Sequence, residues 1–232
     1  EAGNLAWDQK ITPSDYAVQI SQNYELSNVP LLANEQYTVK ELYDAMTIYS
    51  ANGATIALTE ATDGTEANFV DRTRKLIESW GIDDAKIYNS TGLNNENLMG
   101  NHYPGWPDDV EDEMSAKSMA AIAQRVLNKY PEVLEVSSIM EQKFREGTDD
   151  EIEMINWNWM LPGMPFGYEG VDGLKTGTTL KAGANFTGTA VRGDRRLLSV
   201  IMGAGNGRDN PGQRFTETAR MFDYGFEQFA PI

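Results

Sequence analysis

Two short stretches of the sequence combine residue types that could do chemistry. The first is Ser50-Ala51-Asn52, which places a hydroxyl and a carboxamide two residues apart between two segments with a helical pattern. A hydroxyl can pass a proton, and a carboxamide can donate and accept hydrogen bonds with a peptide-like substrate. Because Ser and Asn also favour caps and turns, a simple junction between two helices explains the same residues.

The second stretch is Lys175-Thr176-Gly177-Thr178-Thr179, in a segment with strand character. Glycine in a strand often marks a place where a ligand approaches the backbone, and an extended segment can pair with a peptide backbone. The hydroxyls of Thr176 and Thr178 could hold a carboxylate, with the Lys175 ammonium adding a favourable field. A backbone N–H near Thr178 could stabilise an oxyanion. The simpler alternative is an edge strand with a solvated lysine.

The elements that must position Ser50 and Asn52 are predicted to be helices. Thr12 and Pro13 predict the start of a short helix, with Thr as its cap and Pro in its first turn. The capping box from Thr38 to Glu41 predicts a second helix, which runs to about Tyr49. An apolar helical pattern resumes directly after the Ser-x-Asn stretch.

Two further helix starts are predicted by capping residues. Thr65 caps a helix that ends near Gly81, and Ser115 caps a helix that ends near Tyr130. The segment between them is long, polar and rich in Gly, Pro and Asn, which is typical of a functional rim or an insertion.

The last third of the chain is predicted to hold the sheet. Residues 192–194 form a turn between two strand-like segments, which predicts a hairpin in a sheet of about three strands. Aromatic and small residues then recur at helical spacing and predict a final amphipathic helix that packs on the sheet; they are Phe215, Ala219, Phe222, Phe226 and Phe229. The fold class is therefore α+β, with helices against an antiparallel sheet.

Composition excludes several classes of protein. The 232 residues carry 19 basic and 35 acidic side chains, a net charge of -16, which argues against binding nucleic acid or anionic lipid. The chain has no cysteine, so disulfides and thiolate metal sites are excluded. No apolar run approaches the roughly 20 residues of a membrane span.

Taken together, the motifs resemble those of penicillin-binding proteins and class A β-lactamases. Ser-x-Asn, followed about 125 residues later by Lys-Thr-Gly, is two-thirds of their motif set, whose first element is Ser-x-x-Lys. The surrounding sequence at 37–60, 89–98 and 170–189 is similar to that of the low-molecular-weight D-alanyl-D-alanine carboxypeptidases of bacteria, in the same order along the chain.

The resemblance implies a role for each site residue. Ser50 would relay a proton toward the leaving group, Asn52 would bind the acyl side of the peptide, and Lys175 would support Ser50 electrostatically. The substrate would be bound by the segment that follows Lys175, namely Thr176, Gly177, Thr178 and Thr179, and the hydroxyls of Thr176 and Thr178 would hold its terminal carboxylate. One oxyanion-hole N–H would come from Thr178, and the other from the nucleophilic serine itself.

The nucleophile is where the sequence departs from the family pattern. None of the eleven serines is followed by Lys three positions later. In the family this motif lies upstream of Ser-x-Asn, on a helix preceded by two strands of the sheet. We therefore expect the chain to be a catalytic domain of the β-lactamase/DD-peptidase (transpeptidase-like) fold that lacks these N-terminal strands and the nucleophile helix. Residues 1–232 would form this single domain, with a helical part at about 12–130 and the sheet plus final helix at about 170–232.

The function that the resemblance implies is removal of the C-terminal D-alanine from peptidoglycan stem peptides through an acyl-serine intermediate. The expected partners are peptidoglycan pentapeptides, with β-lactam antibiotics as inhibitors, and no metal or organic cofactor. The protein would be exported to the outer face of the bacterial cytoplasmic membrane or cell wall, held there only by an anchor outside this chain. The alternatives are a serine β-lactamase, or a non-catalytic binding fragment that begins at Glu1.

Several other residues suggest sites only weakly. The single histidine, His102, is expected at the surface, and the acidic run 108–113 lacks the ligand spacing of an EF-hand loop and is expected to be a solvated rim. One glutamate in a polar loop, Glu96, is too common a feature to support a deacylating role. Two tryptophans, Trp157 and Trp159, are expected to pack beneath the site with Met160 and Met164.

Overall fold

The structure is a computed structural model that describes residues 5–229. Its helices and strands alternate irregularly along the chain. They are β1 (Lys10–Ile11), α1 (Asp15–Ser21), β2 (Tyr37–Thr38), α2 (Val39–Tyr49), α3 (Asn52–Asp63), α4 (Glu66–Ser79), a 3₁₀ helix (Asn95–Leu98), α5 (Ala116–Lys129), α6 (Val133–Ser137), β3 (Glu141–Phe144), β4 (Ile152–Ile155), β5 (Val171–Thr179), β6 (Gly183–Arg192), β7 (Arg195–Ile201) and α7 (Gln213–Gln228).

These elements group into two compact units. The first comprises the chain up to Glu113 together with Glu141–Ile155, and the second comprises Met114–Met140 together with the chain from Asn156 onward. The first unit holds α1 to α4 and two small antiparallel ladders, and the second holds the three-stranded sheet with α5, α6 and α7. That the whole chain is a single domain stays a prediction.

The helix starts of the first unit follow from capping side chains. The capping box is confirmed: Thr38 Oγ1 accepts from the Glu41 N–H at 3.1 Å, and the Glu41 carboxylate accepts from the Thr38 N–H at 2.7 Å. The first helix, however, does not start at Thr12. Ser14 is its cap because its Oγ accepts from the Ala17 N–H at 3.1 Å, so α1 begins at Asp15.

Two later capping predictions are also confirmed. Thr65 accepts from the Asn68 N–H at the start of α4, and Ser115 accepts from the Ser118 N–H at the start of α5. The helix α4 ends at Ser79, and Gly81 follows with a φ of 76°. Positive φ values favour glycine, which explains the stop.

The core of the first unit is formed where α1 and α2 pack against α3, and where α2 packs against the β3–β4 hairpin. Strand β1 pairs with β2 beside this core. The largest side chains that are almost fully buried there are aliphatic or aromatic: Ile20, Leu31, Tyr37, Leu42, Ile48, Ile56, Leu98, Phe144 and Met154. Burying each such side chain contributes about 1.5–3 kcal/mol, so this core holds the ends of α2 and α3 in place.

The second unit contains the predicted hairpin and a sheet of three antiparallel strands in the order β5-β6-β7. The helix α7 packs on β6 and β7 through Phe215, Phe222 and Phe226, which are buried in one cluster with Phe186 of the sheet. The prediction for Phe229 was wrong. It lies just beyond the last residue of α7 and is 59% exposed.

The helix α5 packs on β7 in this unit. Among the α5 residues only Ala123 is buried, so most of this helix is at least partly exposed. Of the helices in residues 5–229, none has the length and apolar character needed to cross a bilayer.

Candidate functional site

Ser50 lies at a sharp junction between two helices of the first unit. It is the residue that follows α2, and it adopts a left-handed conformation with φ 58° and ψ 36°. Few residues other than glycine adopt such angles, so a serine held there indicates a local constraint. The Ala51 N–H donates back to the Ala45 carbonyl at 3.0 Å, which closes the end of α2. The junction is present as the simple alternative predicted, and its conformation is unusual.

Asn52 is the first residue of α3 and is held from outside its own helix. Its backbone N–H and its side-chain Nδ2 both donate to the Ser27 carbonyl, at 3.0 and 2.9 Å. The residue is only 8% exposed. The backbone bond holds the first residue of α3, and the side-chain bond restrains the direction of the carboxamide two residues after Ser50.

Lys175 to Thr179 occupy the second half of β5, in the other unit. Within the described residues β5 pairs with β6 on one side only, so it is an edge strand of its sheet. Gly177 is exposed, and a Cβ added to it would meet no atom within 4 Å. Packing within the protein therefore does not require glycine at this position, whereas close approach of another backbone would.

The threonines of this strand differ in their surroundings. Thr178 is exposed and Thr176 is partly buried, and each belongs to the edge strand. Thr179 Oγ1 accepts a hydrogen bond from the Ala182 N–H at 2.8 Å, so this hydroxyl stabilises the turn that leads into β6. Binding of a substrate by Thr179 stays a prediction.

The ammonium group of Lys175 has an unusual electrostatic environment. Although the residue as a whole is only partly buried, burial of the ammonium and the nearby positive charge of Arg214 lower its pKa to about 8. Its Nζ donates to the Thr176 carbonyl at 3.0 Å. Lys175 is therefore partly buried, with a hydrogen-bonded ammonium, rather than fully exposed on its edge strand. Perturbed lysines of this kind are typical of functional sites.

Arg214 is a site residue that the sequence analysis missed. It lies in the first turn of α7, is 7% exposed, and its Nη1 donates to the carbonyls of Gly177 and Asn185 at 3.1 Å each. Its Nε donates to the Pro211 carbonyl at 2.9 Å. Burial lowers the pKa of its guanidinium. One side chain thus clamps β5 to β6 at the glycine of the Lys-Thr-Gly motif.

The start of β5 is held by a second set of polar contacts. Arg196 on β7 donates to both carboxylate oxygens of Asp172, at 2.7 and 2.8 Å, and Ser137 Oγ donates to the Asp172 carbonyl at 2.8 Å. A Cβ on Gly173 would lie 2.9 Å from Ser137 Oγ, so a larger residue there would displace the hydroxyl that holds this strand. Together with Arg214 these contacts fix the strand that carries Lys175.

The predictions for the weaker candidates require three corrections. His102 is not a surface side chain: it is 14% exposed, and its Nε2 lies 3.0 Å from the Trp106 carbonyl. The acidic run is not all solvated, because Glu111 is 4% exposed and burial raises the pKa of Asp112 to about 6. Trp159 packs against the buried cluster of the second unit with Met164, but Trp157 is 40% exposed.

Acidic and histidine side chains do not form a cluster with metal-site geometry in the part of the chain that the structure describes. Residues 5–229 contain no group of three or more His, Asp or Glu side chains arranged to hold an ion.

The class of protein is defined by this α+β fold with its two motifs: a Ser-x-Asn junction between helices and a Lys-Thr-Gly edge strand. Solved structures share the fold. The penicillin-binding protein 3 of Streptococcus pneumoniae, described as a peptidoglycan synthesis regulatory factor, is 42% identical and superposes with a TM-score of 0.89 over 96% of this chain and 60% of its own. The ampicillin-bound penicillin-binding protein D2 of Listeria monocytogenes is 28% identical, with a TM-score of 0.72 over 96% of this chain and 79% of its own.

The chain belongs to the D-alanyl-D-alanine carboxypeptidase family, Peptidase S11, whose model matches residues 1–206. It is 30% identical over 229 residues to the D-alanyl-D-alanine carboxypeptidase DacF of Bacillus subtilis. This match covers 99% of the chain and 52% of DacF. It is 28% identical over 203 residues to DacC of Escherichia coli, covering 87% of this chain and 44% of that protein. The resemblance to low-molecular-weight penicillin-binding proteins is confirmed, and the chain spans about half the length of the curated relatives it matches.

Proposed function

We propose that the protein removes the C-terminal D-alanine from peptidoglycan stem peptides through an acyl-serine intermediate, and that penicillins acylate the same serine. Family membership and the preserved Ser-x-Asn and Lys-Thr-Gly motifs support this proposal. The observation that carries it is the second half of β5, whose outer edge pairs with no other strand among residues 5–229 and which presents an exposed glycine two residues after a lysine with a lowered pKa. Such an edge can take an extended peptide as an added strand.

The reaction divides into two steps. A serine oxygen attacks the carbonyl carbon of the terminal peptide bond, the C–N bond breaks, and D-alanine leaves with a proton on its amine. Water then hydrolyses the ester and restores the serine. That serine is expected in a Ser-x-x-Lys segment, which the 232 residues do not contain, so the assay requires the full-length natural polypeptide.

The family resemblance suggests the two roles proposed for the helix junction of the first unit. Ser50 relays the proton toward the leaving amine, because a hydroxyl can accept one proton while it donates another. Asn52 binds the acyl side of the peptide through its carboxamide, whose plane is set by the bond to the Ser27 carbonyl.

The roles on the second unit concern negative charge. At neutral pH most of the Lys175 population is protonated, since the pKa is about 8, and this charge favours the terminal carboxylate of the substrate. The hydroxyls of Thr176 and Thr178 bind that carboxylate, and the Thr178 N–H donates to the oxyanion that develops during acylation. The stem peptide and the penicillin therefore compete for the same site.

The experiment is labelling of the full-length polypeptide with a fluorescent penicillin, followed by mass mapping of the acylated serine and assay of D-alanine release from an acyl-D-Ala-D-Ala peptide. We expect Ser50→Ala to reduce release about 100-fold or more, the usual contribution of a positioned proton donor. The control Ser118→Ala, on α5, should leave release unchanged. No labelling, or acylation of Ser50 itself, would refute the assigned roles, and an acyl-enzyme lost within seconds would indicate a β-lactamase.

The expected location is the outer face of the bacterial cytoplasmic membrane, where stem peptides are exposed. The family is one of cell-wall peptidoglycan enzymes, which supports export. Fractionation of cells with an antibody to residues of this chain would test it, and recovery with the cytosol would contradict it.

A further inference from the structure

The helix α3, which begins with Asn52, has no capping side chain of its own. The residue before it, Ala51, is fully buried and makes no side-chain hydrogen bond to the helix. The first N–H groups of a helix have no partner inside the helix, and Ser, Thr, Asp or Asn usually supply one. Alanine cannot do so. The N-terminus of the helix that carries a site residue must therefore be satisfied from elsewhere.

Two consecutive residues of a distant loop satisfy it. The Gly53 N–H donates to Asn28 Oδ1 at 2.9 Å, and the Asn52 N–H donates to the Ser27 carbonyl at 3.0 Å. Asn28 thus acts as a helix cap although it precedes the helix by more than 20 residues. Because this cap does not belong to the helix chain itself, it also sets where the N-terminus of α3 lies relative to the loop.

The other end of the Asn28 amide is tied to α1. Its Nδ2 donates to the Ile20 carbonyl at 2.8 Å and to the Asn23 carbonyl at 3.2 Å. A flipped amide would place Oδ1 against two carbonyl oxygens and Nδ2 against an N–H, so only one orientation satisfies all three bonds. The amide connects the end of α1 to the start of α3.

The packing beside Gly53 shows how closely these two helices meet. A Cβ on Gly53 would lie 2.5 Å from Ser21 Cβ and 2.8 Å from the Ala17 carbonyl oxygen. The backbones of α1 and α3 are therefore in close contact at Gly53. A shift of α3 toward α1 would produce a steric clash. The first turn of α3 is therefore held by the Gly53 bond to Asn28, by the two bonds from Asn52 to the Ser27 carbonyl, and by this close contact.

We propose that Asn28 is a positioning residue for Ser50 and Asn52, acting through the first turn of α3. This inference rests on the proposed function. Asn52 is the first residue of the helix, and Ser50 lies two residues before it in a left-handed conformation. If the remote cap is lost, the first turn of α3 frays and both side chains lose their fixed position. Misplacement of reacting groups by about 1 Å can reduce a rate about 100-fold.

The test compares Asn28→Ala with Thr65→Ala in the full-length natural polypeptide. Thr65 caps α4 in the same unit by accepting from the Asn68 N–H at 3.1 Å, so its variant loses an ordinary cap at another helix. We expect both variants to lower Tm by similar amounts. Asn28→Ala should slow acylation by a fluorescent penicillin about tenfold or more, and Thr65→Ala should leave the rate within about twofold.

A conservative variant separates positioning from general stability. Asn28→Asp keeps an acceptor for the Gly53 N–H at a helix N-terminus, where negative charge is favourable, but loses the donor to the Ile20 carbonyl. We expect its acylation rate to lie between those of wild type and Asn28→Ala. If Asn28→Ala does not fold, the acylation rate of Asn28→Asp can be compared with that of Thr65→Ala instead.

Hydrogen–deuterium exchange measured by mass spectrometry distinguishes failure of this inference from failure of the proposed function. In Asn28→Ala the peptide containing the Asn52 and Gly53 amides should exchange faster, whereas in Thr65→Ala the faster peptide should contain the Asn68 amide. The positioning role is refuted if Asn28→Ala is acylated as fast as Thr65→Ala, or if exchange at Gly53 is unchanged. A wild-type protein that no penicillin labels would instead refute the proposed function, with the exchange result still deciding whether Asn28 holds α3.

Discussion

Replacing Lys175 with Met should change how the stability of the protein depends on pH. The folded state holds the Lys175 ammonium in a partly buried position near Arg214, and the pKa falls to about 8 from the ordinary value of 10.5. Between these two values the unfolded chain binds a proton that the folded chain has released. The free energy of unfolding of the wild type therefore rises with pH across this window.

The magnitude follows from the difference between the two pKa values, which corresponds to at most about 3 kcal/mol. Because part of the residue is exposed, solvent reduces this cost, and we expect a rise of about 1–3 kcal/mol between pH 7 and pH 10.5. The sign is fixed by the direction of the pKa change: the cost of the buried charge is present in full below about pH 8 and disappears above 10.5. Lys175→Met has no such group, so it should lack this part of the rise.

Urea denaturation at a series of pH values measures the effect. The wild type should gain stability relative to Lys175→Met as the pH increases through the window, while Lys117→Met, which removes an exposed lysine of the same unit, should follow the wild type. Parallel curves for wild type and Lys175→Met would show that the Lys175 ammonium is as well solvated in the folded protein as in the unfolded chain, and the electrostatic reasoning would be wrong.

Two other predictions can also be tested by urea denaturation. Arg214→Met removes the guanidinium that donates to the Pro211, Gly177 and Asn185 carbonyls, and it should cost about 2–4 kcal/mol of unfolding free energy. The control Arg220→Met, at an exposed position of the same helix, should cost less than about 0.5 kcal/mol. Equal effects of the two variants would contradict the role of Arg214 in holding β5 to β6. Burial raises the pKa of Asp112 to about 6, so between about pH 4 and pH 6 the folded protein binds more protons than the unfolded chain. The free energy of unfolding should therefore fall by about 1–3 kcal/mol as the pH rises through that range. Asp112→Asn should remove this loss, and a wild-type curve that is flat from pH 4 to pH 6 would contradict it.

Predictions from sequence succeeded where the interaction is local. The capping box at Thr38, the cap at Thr65 and the hairpin turn at 192–194 each depend on residues within a few positions of one another, and all three were confirmed. The first helix start was wrong because Thr12 and Ser14 are both good caps. Choosing between them depends on which hydroxyl reaches an N–H, and Ser14 reaches that of Ala17.

Predictions based on periodicity alone were less reliable. Phe229 continues the aromatic spacing of α7 but lies just past its end, so it faces solvent. The reverse occurred at His102, which was expected at the surface but is only 14% exposed, with its Nε2 3.0 Å from the Trp106 carbonyl oxygen. Burial depends on what the rest of the chain places nearby, and the spacing of residues does not contain that information.

The sequence by itself determined the family, the two motifs and the order of the elements that carry them, because these depend on residue types and on short spacings. The tertiary structure decided how the site residues are held. Asn28 reaches the start of α3 from a distant loop, and Arg214 reaches the Gly177 carbonyl from another element. The lowered pKa of Lys175 also depends on the tertiary structure, because it arises from burial and from the nearby charge of Arg214. Long-range hydrogen bonds and burial exist only once the chain has brought distant segments together, so local sequence patterns cannot reveal them.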